Sequence, residues 1–385
     1  MPTRIHFFPV GNGDMTLIEL ESGKRLLIDV NIRAAADDLE EQTPDVATLL
    51  RDRLERDTQG RLYVDAFLLS HPDQDHCAGL KKHFHLGDAS TLSADDDKIL
   101  IRELWSSPMA FRRASRHHKL CADAKAFNKE ARRRVKLFRE GVDALEDGNR
   151  ILILGRDEDG KTDGLEEILV PVGDSFNRIN GEGDTSFSAR LLGPQPPTED
   201  SDGPDTPSKN DSSVILQFLL AGDGESDQGR FLTGGDAEVG VWEALWDTRT
   251  IETDWLTYDL LQAPHHCSWH SLSHDSWSEK REAGTVSANA RSALSQASVG
   301  ATIVASSKAI KDDDNDPPCV GAKRVYEEIV AGVHGEFVCV GEPENAPQVV
   351  TFEINEYGLR RPPILVRAAS AVAGGVMGGQ PLSHG

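Results

Sequence analysis

Apolar residues along the chain fall into short runs of strand length, several of them closed by a glycine or an acid. Alternating or continuous runs predict strands near residues 3–10, 15–20, 25–30 and 64–70. Glu21-Ser22-Gly23-Lys24 supplies a hairpin turn between the second and third, and residues 45–54 read as a helix. The pattern changes over 95–165, a charged and mainly helical stretch without strand alternation until Ile151-Leu152-Ile153-Leu154. Residues 181–211 are rich in Gly, Pro, Asp, Ser and Thr and read as loop, with one strand embedded at 187–192. Strands are then expected at 213–220, 229–233, 257–262, 301–306, 336–340 and 348–354, with helices at 237–246 and 323–333. Grouped strands with intervening helices predict an α+β or mixed α/β protein whose helices lie outside its sheets.

Composition narrows this picture. A chain of 385 residues and 42.0 kDa suits one large domain or two ordinary ones. It is 38% hydrophobic and 27% charged, without the 18 or so consecutive apolar residues of a membrane helix. The opening residues lack a basic-then-apolar signal pattern. Five scattered cysteines without a Cys-x-x-Cys pair favour reduced thiols in a cytoplasm over a disulfide framework or zinc knuckle. The expectation is a soluble cytoplasmic protein with no membrane partner.

A formal net charge of −23 opposes non-specific binding to nucleic acid or anionic membrane. One stretch runs against it: residues 111–139 carry Arg112, Arg113, Arg116, Lys119, Lys125, Lys129, Arg132, Arg133, Arg134, Lys136 and Arg139 against Asp123 and Glu130. A solvated helix face explains such a stretch, and so does a phosphate-binding surface, with Arg112, Arg113 and Arg116 as its candidate contacts.

The candidate chemistry lies at the ends of the apolar runs. Ser70-His71-Pro72-Asp73-Gln74-Asp75-His76 follows the 64–70 run and supplies two imidazoles and two carboxylates. In extended chain His71, Asp73 and Asp75 share a face, and a turn into helix adds His76. Two carboxylates about 4 Å apart repel by roughly 4 kcal/mol at an effective dielectric of 20. A divalent cation reverses that sign and selects these ligand types. Asp29 closes Leu26-Leu27-Ile28, Asp236 follows Gly234-Gly235, and Pro264-His265-His266-Cys267-Ser268-Trp269-His270 holds three imidazoles in six residues. Asp29 and Asp236 are equally explained as turn or cap residues. Gly11-Asn12-Gly13-Asp14 stands before the second strand, where it also suits a tight turn.

Together these residues resemble the metallo-β-lactamase fold superfamily of metal-dependent hydrolases, and within it the branch containing the hydrolase domain of the competence protein ComEC. The resemblance rests on Gly11, Gly13 and Asp14, on Asp29, on His71, Asp73, Asp75 and His76, on Asn210-Asp211-Ser212-Ser213-Val214, on Gly235-Asp236, and on His265-His266. It spans most of residues 1–355 and implies a four-layer αββα sandwich. The domain would cover 1–365, with a helical insertion at about 101–185 and a flexible tail over 366–385. It implies that His71 and Asp73 hold one metal, that Asp75 and His76 hold a second, that Asp236 bridges them, and that His266 or His265 completes the second site. Asp29 and Asp14 would act from behind the ligands. Asp75 and Asp236 would carry the catalysis, with one or two zinc or manganese ions as cofactor.

Two departures stand out. Asp73 replaces the histidine of many members, which shifts the donor set towards oxygen and hence towards manganese. The histidine that usually completes the first site is missing: His83, His85, His117 and His118 are the only imidazoles between the central cluster and Asp236, and none closes an apolar strand. Near the end, Asp314-Asn315-Asp316-Pro317-Pro318 occupies the place of a His-Pro pair. The expected function is metal-dependent hydrolysis of a phosphodiester in a nucleotide or single-stranded nucleic acid. Two alternatives remain open: a zinc hydrolase of thioester, lactone or lactam substrates, and a degenerate binding or regulatory subunit working with a protein partner.

Overall fold

A computed structural model describes residues 2–37, 43–108, 120–142, 144–156, 160, 162–194, 210–249 and 252–362. Two mixed sheets face each other. Among the described residues the first runs Leu169–Val170, Arg150–Leu154, Ile99–Ser106, Leu62–Leu69, Arg25–Ile28, Thr16–Glu19, Thr3–Phe7, Val350–Asn355, Gly358–Arg360. The second runs Ser175–Phe176, Phe187–Gly193, Ile215–Gly222, Glu225–Thr233, Tyr258–Gln262, Ala297–Lys308, Glu336–Gly341. Each begins as an antiparallel meander and continues as parallel strands. The change comes at Arg25–Ile28 against Leu62–Leu69 in the first sheet and at Glu225–Thr233 against Tyr258–Gln262 in the second.

Side-chain alternation along the strands makes the layers. Ile5, Phe7, Leu26, Ile28, Ala66 and Leu68 point into the space between the sheets, where they meet Phe218, Phe231, Leu260 and Val304 of the second sheet. Phe7 contacts Phe231 across that space edge to face, with centroids 5.9 Å apart. Their neighbours Leu27, Phe67 and Leu69 turn outward onto Leu50, Phe127 and Ala131, carried by the helices Val46–Arg51 and Ala122–Glu140. On the opposite outer face Leu232, Leu261 and Ile303 meet Trp242, Ala293 and Tyr326 from Val239–Arg249, Ala288–Leu294 and Val320–Ala331. The result is the α+β sandwich, helix layers outside and two sheets within. No helix among the described residues is long and apolar enough to cross a membrane.

The stretch expected as a helical insertion differs in kind. Among its described residues it holds one long helix, Ala122–Glu140, but Ile99–Ser106 and Arg150–Leu154 are strands of the first sheet, the former pairing in parallel with Leu62–Leu69 and the two with each other. Arg102-Glu103 hides the first of these in the sequence. Glu103 is buried, accepting from Trp105 Nε1 and Asn180 N at 2.8 Å each. Arg102 stacks on the Tyr63 ring and pairs with Asp65 at 2.9 Å. The helix serves as the crossover between two parallel strands. Arg112, Arg113, Arg116, His117, His118 and the 366–385 tail lie outside the described residues.

Candidate metal centre

The polar residues of interest sit where strands end, on one edge of the sandwich, as ligand sites in parallel sheets do. Asp29 follows Arg25–Ile28, Ser70-His71 follows Leu62–Leu69, Asp236 follows Glu225–Thr233, and His265-His266 follows Tyr258–Gln262. Asp14 lies just before Thr16–Glu19. Both sheets therefore contribute.

Asp236 is the hub. His76 Nε2 lies 3.0 Å from its Oδ1 and His266 Nε2 3.3 Å from the same oxygen. His71 Nε2 lies 3.5 Å from Oδ2, and His265 Nε2 3.7 Å. Asp75 approaches from the open side, its Oδ2 3.5 Å from His266 Nε2 and its side chain 41% exposed, whereas Asp236 is 4% exposed. Asp73 Oδ2 is 3.9 Å from His71 Nε2. Ligand atoms of Asp14, His76, Asp236 and His266 all fall within 4.8 Å of one another.

The far sides of the imidazoles are fixed by other groups. His76 Nδ1 lies 2.7 Å from Asp29 Oδ2. Ser70 donates to the same carboxylate from both its N–H and its hydroxyl, at 2.7 and 2.6 Å. His266 Nδ1 faces Asp14 Oδ1 at 3.3 Å, and His71 Nδ1 faces Ser70 Oγ at 3.1 Å. Each ring thus turns Nε2 inward. Asp29 and Asp14 thus face the Nδ1 atoms of His76 and His266 respectively.

Local backbone makes the convergence possible. The helix bearing Asp75 and His76 is a single turn, Gln74–Cys77. Asp29, His265, His266 and Cys267 all adopt positive φ, between 51° and 67°, a cost of order 1–3 kcal/mol each that clusters at functional sites. Asp316 supports the histidine turn, accepting from Ser268 Oγ at 2.7 Å and from Trp269 N at 3.0 Å. Gly13, at φ +141°, lies so close to its neighbours that a Cβ there would sit 2.0 Å from Asn31 Nδ2 and 2.7 Å from the Asp75 carbonyl. The Asp236 amide donates to Ser213 Oγ, and Val214 N to the Ser70 carbonyl, so the 210–214 segment ties the two sheets together at the site.

These residues fit a cation. His71 Nε2, His76 Nε2, Asp236 Oδ1, and both ring nitrogens of His266 are buried yet make no hydrogen bond of ordinary geometry. Buried polar atoms without partners are rare in folded proteins, and here they point at one another. In the metal-free chain protons stand in for the ion. Burial disfavours a charged His266 ring, but the Asp236 and Asp14 carboxylates outweigh it and push its pKa up to about 10. His76 is likewise raised against burial, by Asp236 and Asp29. Asp236 is held well below the usual carboxylate range, with His76, His266 and His71 overcoming its burial. His265 moves the other way, lowered chiefly by burial. A buried Asp/His cluster of this kind can bind a metal ion.

The structure separates the remaining candidates. His266 belongs to the buried group whose ligand atoms lie within 4.8 Å of one another, and His265 Nε2 lies 3.7 Å from Asp236 Oδ2. His83 Nδ1 faces Arg51 at 3.3 Å and His85 Nε2 the Asp88 carbonyl at 2.9 Å, and neither residue belongs to the buried Asp/His group. Ser70 and Ser213 were not singled out as working residues in the sequence. A serine opening the His-x-Asp-x-Asp-His run was the available signal for the first. Within the basic stretch, Arg134 is buried and spends its guanidinium on Glu130 and on the Ile101 and Arg150 carbonyls, at 2.8 to 3.0 Å.

No protein-family model matches the chain, and no curated protein does. Among solved structures, a crystal structure of unliganded yeast PDE1 is similar over 88% of this chain and 98% of its own, at 11% identity and a TM-score of 0.37.

Proposed function

We propose that the chain is a metal-dependent hydrolase of phosphodiesters, acting on a nucleotide or a single-stranded nucleic acid. The observation that carries this reading is the set of buried imidazole nitrogens gathered around Asp236, close to its carboxylate but without hydrogen bonds of ordinary geometry. His76, His266, Asp236, Asp75, His71 and Asp73 would hold one or two ions. A divalent ion bound there lowers the pKa of water towards neutrality and offsets charge on phosphoryl oxygens. Asp75, the half-exposed carboxylate of the cluster, accepts the proton of the attacking water. Asp29 and Asp14 hold His76 and His266 in the inward-facing orientation. Carboxylates as well as imidazoles in the donor set favour manganese over thiolate-seeking ions. The resemblance to ComEC-type hydrolases supports a phosphoryl substrate, and the net charge of −23 favours a short or single-stranded one over duplex.

The test pairs metal content with hydrolysis. Purified protein should hold about one or two transition ions per chain and, with manganese, cleave single-stranded DNA, RNA or bis-nitrophenyl phosphate. Asp75→Ala should lower that rate about 100-fold or more. Metal retained with every such substrate untouched would overturn the phosphodiester reading. Absence of bound metal would favour a binding or regulatory role, for which the missing first-site histidine is the motivation.

A further inference from the structure

Outside the metal ligands, one chemically competent pair remains unexplained. Cys77 directly follows His76, and its Sγ lies 3.6 Å from Cys121 Sγ. The two residues are 44 positions apart, and the structure brings them together through packing of the helix Ala122–Glu140 on the turn Gln74–Cys77. Asp123 of that helix accepts from Gly79 N and Lys81 N, at 3.3 and 2.8 Å, which fixes the approach. Cys121 is half-buried at the helix N-cap, where its sulfur accepts from Ala124 N at 3.3 Å. Cys77 is buried, as are Cys267, Cys319 and Cys339.

We propose that Cys77 and Cys121 are a site of peroxide oxidation and close a disulfide that disturbs the metal-bearing turn. Cys121, the more accessible sulfur, attacks hydrogen peroxide: an S–O bond forms, the O–O bond breaks and water leaves. Cys77 then attacks the Cys121 sulfur, forming S–S and breaking S–O, and the second water leaves. Two thiols are oxidised to one disulfide as one peroxide is reduced to two waters. Bond formation at about 2.0 Å requires the sulfurs to close by about 1.6 Å. Cys77 Sγ now donates to the Asp73 carbonyl at 3.0 Å, and that bond is lost when the thiol hydrogen is. The turn it ties down, Gln74–Cys77, carries Asp75 and His76. Disulfide formation is independent of the proposed function, whereas its consequence for the metal rests on that reading.

The metal-loaded full chain is treated with hydrogen peroxide, unfolded, alkylated and weighed. The expected product has lost two hydrogens, leaves three of the five cysteines alkylated, yields a peptide joining Cys77 to Cys121, and reverts with dithiothreitol. Cys121→Ser and Cys77→Ala should each abolish it. Five alkylated thiols, or a bridge between other cysteines, would overturn the proposal, and wild-type protein alone decides this if a variant fails to fold. Manganese affinity of the oxidised chain should fall at least about tenfold, while oxidised Cys121→Ser keeps it. An unchanged affinity with the disulfide formed would overturn the coupling to the metal.

Discussion

At the scale of single residues, the centre is a set of imidazoles aimed by carboxylates. Asp29 receives His76 Nδ1 and two bonds from Ser70, so its loss frees the ring and leaves the Ser70 N–H without its acceptor. Asp29→Ala should weaken metal binding about 10- to 100-fold, read by titration with a competing chelator, while Asp29→Asn retains part of it. The residue types of the cluster were legible in the sequence because acids and histidines closing apolar strands stand out. Which partner each would take was not. Asp14 and Asp29 look alike as strand-flanking acids, and only the fold assigns one to His266 and the other to His76. Ser70 opens the run in the sequence, but its role is not legible there, because a buried serine becomes informative only through the carboxylate it meets.

At the scale of elements, strands with clean apolar runs were read within a few residues, and Leu62–Leu69 and Tyr258–Gln262 are examples. Ile99–Ser106 was not, because Arg102 and Glu103 break the pattern and find partners only in the folded sheet. The helix behind it shows the same limit. Ala122–Glu140 reads as a basic surface, yet Arg134 lies buried over the strands, paired with Glu130 at 2.8 Å. Arg134→Ala leaves Glu130 to Arg133 alone and strips the Ile101 and Arg150 carbonyls of a buried donor, and should cost about 1–3 kcal/mol in denaturant unfolding. Gly13→Ala should act on the site instead. Its added carbon overlaps Asn31 and the Asp75 backbone, so metal affinity should drop about tenfold or more in a chain that still folds by circular dichroism.

At the scale of the whole molecule, two sheets meet at a cluster whose charge balance depends on pH. In the metal-free chain the His266 pKa is raised from about 6.5 to about 10, so its stabilising effect is complete below about 6.5 and is lost as pH rises through 10. Asp236 is depressed, so its contribution holds above the ordinary carboxylate pKa and is lost only in stronger acid. Metal binding has the opposite pH dependence to His266, because the ion displaces ring protons. Manganese at about 100 times its dissociation constant adds about 2.7 kcal/mol. The gain in melting temperature on adding a fixed manganese concentration should therefore grow between pH 6 and pH 8, and a flat profile would contradict a histidine-bound ion. The first sheet has a further consequence. Thr3–Phe7 pairs on one side with Thr16–Glu19 and on the other with Val350–Asn355. During synthesis the ribosome releases the first of these partners almost at once and the second only after some 350 residues. Until then a nascent chain presents Thr3–Phe7 as an open strand edge, a template for mispairing.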